Sequence, residues 1–178
     1  MDKKEDVPFL FTRGALSDEH YKALGQFVAE FATFEWLLGE LVCELTKLSP
    51  NDGALIVSRL GLQDMLIVAE AIIEMKFDPS SEFKQRFNSI AVNIRDAAPI
   101  RNRLVHGQWH ESDEPGFVVH WDFRGGARTF TVKTKPVQDK EIFGWAEGIA
   151  RLTLSLSVLC DDLAAARASS HEAPSQVP

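Results

Sequence analysis

The run Arg101-Asn102-Arg103-Leu104-Val105-His106-Gly107 places a fixed cation, a carboxamide and a titratable imidazole within about a turn and a half of helix. Positions 102 and 106 are four apart and share a helix face. Arg101 lies about 140° from His106 around the axis, and its side chain is long enough to curl across. A guanidinium stays protonated and forks onto phosphate oxygens. An imidazole takes or gives a proton near neutrality, and an amide orients that imidazole or bonds a substrate. The set suits holding and cleaving a phosphodiester. RNA brings its own nucleophile, the ribose 2′-hydroxyl, so an acid–base group and a cation suffice and no metal or cofactor is called for.

The surroundings add to this. Between Lys84 and Arg103 the chain has Lys84, Arg86, Arg95, Arg101 and Arg103 against one acid, Asp96. Arg95, Arg103 and His110 are therefore expected as substrate-binding groups. Glu35 sits at the edge of the apolar face of the first helix, where a carboxylate needs a partner. It is expected either to orient the arginine or histidine or to reach solvent as a boundary residue. His106 and His110 have the i, i+4 spacing of metal ligands, with Glu111 next, but Gly107 between them ends the helix and no third ligand presents itself. The competing structural reading is a helix end where Arg103 and His106 cap carbonyls and Arg101 forms an ion pair.

The 178 residues make about one domain, and 45% hydrophobic content supplies a core. A net charge of −7 argues against non-specific coating of nucleic acid while leaving room for a local basic site. Cys43 and Cys160 fall inside apolar helical patterns and are expected as free thiols. The charged start MDKKEDVPFLF is no signal peptide, and no apolar run reaches the ~18 residues of a membrane span. A cytoplasmic protein without membrane association is expected. Gly125-Gly126 lacks the lysine and spacing of a phosphate loop, and no nucleophile elbow is present.

The elements that must position the motif follow from periodicity. Residues 1–16 form an irregular arm whose Phe9, Leu10 and Phe11 would pack on a partner. Ser17 caps a long helix to about Leu48, with columns Leu24–Phe31–Leu38–Leu45 and Phe27–Phe34–Leu41–Leu48. A second helical region runs from about Asp52 to Met75, broken at Gly61. A third starts near Ser81, is interrupted or kinked at Pro99, and leaves the motif on a short final helix stopped by Gly107. Alternation over 117–134 predicts a β-hairpin turning at Gly125-Gly126, with Trp121 packed against the bundle. A last helix spans roughly Asp139 to Ala168, and 169–178 is expected to be disordered. The expected fold is mainly α: an antiparallel bundle of four main helices over 17–168, with the hairpin inserted before the last.

The run Arg101-Asn102-xxx-His106 in this helical context resembles the arginine–polar–xxx–histidine motif of HEPN domains (higher eukaryotes and prokaryotes nucleotide-binding). The resemblance extends over the helical pattern of 17–168, and the hairpin departs from it. It implies a helical bundle, a homodimer with the two motifs facing, and metal-independent endoribonuclease activity leaving a cyclic phosphate. Such proteins serve as toxins or as anti-phage and stress effectors, with an antitoxin or regulatory protein as partner. The implied catalytic residues are Arg101, Asn102 and His106. Some members have lost activity, so the alternatives are an inactive dimerisation or protein-interaction module and a nucleotide-binding protein.

Overall fold

The computed structural model describes residues 15–126 and 129–171, with backbone alone at 50, 120–126, 129–134 and 169–171. The expected N-terminal arm lies almost wholly outside the described residues, as does 172–178. Helix α1 (Asp18–Thr46) starts where Ser17 Oγ accepts the His20 N–H, with Asp18 and Glu19 in the first turn. It stops at Lys47, whose φ of 58° is left-handed and whose N–H bonds the Glu44 carbonyl. Phe27, Phe31, Phe34, Leu38, Leu41 and Leu45 are all buried along one side.

Helix α2 (Pro50–Val57) is capped by Ser49, whose hydroxyl takes the Asp52 N–H, and opens on proline, which has no amide to leave unbonded there. It doubles back along α1 at very close range. A Cβ at Gly39 would stand 2.6 Å from Val57 Cγ1, and one at Gly53 would stand 2.6 Å from Cys43 Sγ. Gly61 then precedes α3 (Leu62–Lys76), the break expected from sequence. At its far end Lys76 Nζ donates to the Leu45 carbonyl at 2.6 Å, so α3 finishes where α1 finishes.

Helix α4 (Glu82–His106) is continuous, and this corrects the expectation of a break at Pro99. Pro99 lies on the exposed stripe of the helix with Val92, Asp96, Asn102 and His106. The carbonyl it cannot bond, that of Arg95, belongs to a residue tied firmly to α3. Arg95 grips Glu70 with two parallel bonds of 2.6 Å. The motif is thus the last turn of a 25-residue helix rather than a helix of its own. Gly107 ends it in extended conformation (φ −83°, ψ 166°), so its left-handed freedom is unused; the helix stops because a strand begins.

That strand was not foreseen. A three-stranded antiparallel sheet of β1 (Gln108–Glu111), β2 (Phe117–Gly126) and β3 (Thr129–Gln138) replaces the simple hairpin. Gln108 pairs with Trp121, and the ladder between β2 and β3 runs from Phe117–Gln138 to Gly126–Thr129. Helix α5 (Asp139–His171) follows directly and continues through 169–171, where disorder was expected.

Helices α1 and α5 run in the same direction. Arg167 binds Glu44 at their C-terminal ends, and Glu19 and Asp139 come within electrostatic range at their N-terminal ends. The expected antiparallel bundle is therefore corrected: α1, α3 and α5 share a direction and α4 opposes them. The short return of α2 is what lets α3 start in the same sense as α1. One apolar core joins the elements, with Phe27, Phe34 and Leu38 of α1 meeting Leu66 and Ile73 of α3, Phe87 and Ile94 of α4, Ile142, Leu156 and Leu159 of α5, and Val118 and Val137 of the sheet. Among the described residues no helix is long and apolar enough to cross a membrane.

The close approach of α2 makes a test. Alanine normally favours a helix over glycine by about 1 kcal/mol. At Gly39 the new methyl meets a stiff β-branched side chain, and such overpacking costs about 1–3 kcal/mol. Gly39→Ala is expected to lower Tm by several degrees in a thermal melt, and Val57→Ala in that background to recover most of the loss.

Candidate functional site

The last turn of α4 presents Asn102 and His106 on its exposed face, with half-buried Arg101 beside them. Arg101 curls across the helix as its length allows. Its Nη1 lies 3.3 Å from Asn102 Oδ1 and 3.4 Å from His106 Nε2. One guanidinium nitrogen thus joins all three residues of the motif. Arginine has only donors, so in this contact the imidazole nitrogen is the accepting partner. The guanidinium carbon stands 6.0 Å from the centroid of the Phe31 ring, at the outer limit of a cation–π contact. Phe31 itself is 2% exposed, so core packing holds the platform in place.

Arg101 differs in its charge environment from the arginines that tie helices together. Arg86 meets Asp162, Arg95 meets Glu70 and Arg167 meets Glu44. No carboxylate meets Arg101 among the described residues. A cation held by an imidazole and an amide keeps its charge available to an incoming anion, whereas a carboxylate would neutralise it.

The other expected residues divide. Arg95, expected at the substrate, is engaged by α3: the Glu70 carboxylate occupies its fork, because the two sit on facing turns of α3 and α4. Glu35 is half-buried one turn beyond Phe31 and pairs with neither Arg95 nor Arg101 among the described residues, so the orienting role is not observed. Arg103 lies round the helix from His106 and lines a small cleft with Ile100, Leu104, Lys135, Val137 and Trp145. His110 is half-buried on β1 opposite Val119, on a different element from His106, so the i, i+4 spacing puts no shared face between them. Trp109 packs against the core.

Sequence reasoning missed Phe31 as the seat of Arg101, because an aromatic in a heptad column signals only burial. It missed the Glu70 clamp because two residues 25 apart carry no local pattern. It also missed the cleft where Lys135 Nζ sits 5.4 Å from the Trp145 ring centroid and 3.4 Å from Glu141. No family model, curated protein or solved structure matches the chain.

The cysteines are free, as expected, and partly buried. Burial first, then the charges of Asp161, Glu40 and Glu44, pushes the Cys160 thiol up to about 11, and burial with Glu40 and Glu44 also raises Cys43. A thiolate nucleophile is disfavoured at both. Native protein at pH 8 is expected to react slowly with iodoacetamide, Cys160 slowest, and both to react readily once unfolded. The linkage has a definite sign. The unfolded thiol ionises near 9.0 and the folded one near 11, so the Cys160 contribution is complete below pH 9 and is lost as pH rises towards 11. Cys160→Ser should flatten that alkaline decline in a pH series of melts.

Proposed function

We propose that this chain is a metal-independent endoribonuclease of HEPN type. The observation that carries the reading is the joined set Arg101–Asn102–His106, with the arginine meeting no carboxylate among the described residues. His106 acts as the acid–base group, taking the ribose 2′-hydroxyl proton and returning a proton to the leaving 5′-oxygen. Arg101 stabilises the charge that grows on the phosphate oxygens, and Asn102 holds the arginine and the substrate in register. The products are a 2′,3′-cyclic phosphate and a 5′-hydroxyl. A toxin or anti-phage or stress effector, regulated by an antitoxin-like protein, is the role in keeping with such an activity.

A single imidazole serves two proton transfers best when a second copy supplies another, and a surface is present for pairing. Tyr21, Val28 and Trp36 of α1 are 56%, 46% and 63% exposed, with Gly25, Ala29 and Ala32 exposed between them. This apolar stripe lies next to the Phe31 flank that carries Arg101. The same stripe also favours the second reading, a dimerisation module without catalysis.

Two measurements test the proposal. A mixed single-stranded RNA incubated in EDTA should be cut by the wild-type chain, with cyclic-phosphate ends. His106→Ala should lose cleavage on the order of 10²–10⁴-fold while its melt is unchanged. Equal cutting by both proteins in a nuclease-free preparation rules the mechanism out, and no cutting by either favours the dimerisation module. Trp36→Glu is expected to shift sedimentation from dimer to monomer and to reduce cleavage per chain, with far-UV circular dichroism preserved.

A further inference from the structure

The sheet meets the bundle with one face. In a ladder, residues directly opposite share a face and successive residues alternate. Val118 and Val137 are opposite one another, 2% and 3% exposed, and belong to the core. Lys135 lies two residues before Val137 and is therefore on the same face. Position 121 is on the other face, and the side chain of Trp121, expected to pack on the bundle, lies outside the described residues. Lys135 is thereby brought to α5. Its Nζ stands 5.4 Å from the centroid of the Trp145 ring, within cation–π range, so a half-buried aromatic holds the ammonium in place.

Arg103 of α4 lines the same cleft as Lys135 and Trp145. It is three residues from His106, about 60° round the helix, and side chains so spaced are neighbours. Arg101 reaches the same imidazole from the other flank. Passing round the end of α4, the order is Arg101 with Asn102, then His106, then Arg103, then the cleft floor of Ile100 and Leu104, where Lys135 joins them. Positive charge thus stands on both flanks of the imidazole and on one flank continues onto β3.

Lys135 also faces Glu141, at 3.4 Å, with both side chains well exposed. A bridge this long and this wet is weak. The Glu141 carboxylate has another duty, since its Oε2 accepts the Gln138 N–H at 3.1 Å at the start of α5. An anion entering the cleft meets two cations and one loosely engaged carboxylate. An anion there also stands one side chain away from an anion held at His106. Anions repeated at short, regular spacing are what a nucleic-acid backbone supplies.

We propose that the cleft of Arg103, Lys135 and Trp145 is a phosphate subsite. It binds the RNA phosphate next to the one held at the Arg101–Asn102–His106 cluster. This rests on the ribonuclease reading and deepens it. Arg103 and Lys135 contact the phosphate, and Trp145 positions Lys135.

The test uses the full chain carrying His106→Ala, so that binding is measured without cutting. The probe is a fluorescein-labelled 12-nucleotide single-stranded RNA of mixed sequence, followed by anisotropy over a series of salt concentrations. Adding Lys135→Gln should weaken binding severalfold at low salt and lower the slope of log affinity against log salt by about 0.7, the loss of one phosphate contact. Arg103→Gln should add a second loss of the same size. Lys135 is exposed, so its variant decides the matter if the Arg103 variant fails to fold. Arg86→Gln removes an equal charge elsewhere on α4, where Asp162 holds it, and should leave affinity and slope nearly unchanged. Glu141→Gln separates the subsite from a structural bridge. It should tighten RNA binding, whereas a Lys135 that served only to hold Glu141 would make the two variants behave alike. Unchanged affinity and slope in Lys135→Gln, an equal effect of Arg86→Gln, or weakened binding in Glu141→Gln each overturn the proposal. So does a labelled oligoglutamate of the same charge that binds as tightly and is equally sensitive to Lys135→Gln, which would make the cleft a site for an acidic protein. If the wild-type chain cuts nothing but RNA binding responds to Lys135→Gln as expected, the ribonuclease reading fails and the subsite stands. If the wild-type chain cuts RNA but binding ignores Lys135→Gln, the subsite fails and the ribonuclease reading stands.

Discussion

Burial of the aromatic side of α1 is the constraint on which the other elements depend. Phe27 and Phe34 are fully enclosed, and α2, α3, α4 and α5 each reach some part of this helix. Fully burying a phenylalanine contributes roughly 1.5–3 kcal/mol, so three of them on one side of the helix outweigh any surface ion pair in the molecule. Phe31, the third of these, has a second duty, since Arg101 rests over its ring. The candidate site is therefore not an attachment to a finished core. Its cation is seated on a core residue, and whatever disturbs the packing of α1 displaces the guanidinium as well.

Much of the helical framework was legible because its signals are local. Ser17 before Asp18-Glu19, the seven-residue columns of α1 and the glycine break at Gly61 each act within a turn or two, and the structure follows them. The grouping of Arg101, Asn102 and His106 was legible for the same reason, as helix spacing and side-chain length determine it. Long-range terms were not. Pro99 signals a break to any local rule, yet its exposed position and the Arg95–Glu70 clamp let the helix continue. Strand β1 is four residues long and has no alternation of its own to display; only pairing with β2 makes it a strand. The shared direction of α1 and α5 depends on how far α2 backtracks, which two glycines and their opposing side chains decide.

The acidic balance of the chain has a structural use. Lys84 with Glu74, Arg95 with Glu70, Arg86 with Asp162 and Arg167 with Glu44 tie neighbouring helices together, and in doing so they occupy the cations. Exposed pairs of this kind add little stability individually. Their larger effect is to leave the positive charge of a net-negative protein concentrated in few places. One is Arg101. Another is the ribbon of β2 and β3, where cations outnumber acids.

The joint between α4 and the sheet is a single residue long. The Gly107 N–H still bonds the Arg103 carbonyl at 2.9 Å, and Gln108 is already in register with Trp121. There is no slack in such a joint. Ten-residue strands make a ribbon roughly 30 Å long at ~3.3 Å per residue. A load at the free end of that ribbon is delivered, as on a lever arm, to the helix turn that holds His106. The tilt of the ribbon and the position of the imidazole are thus one mechanical coordinate rather than two.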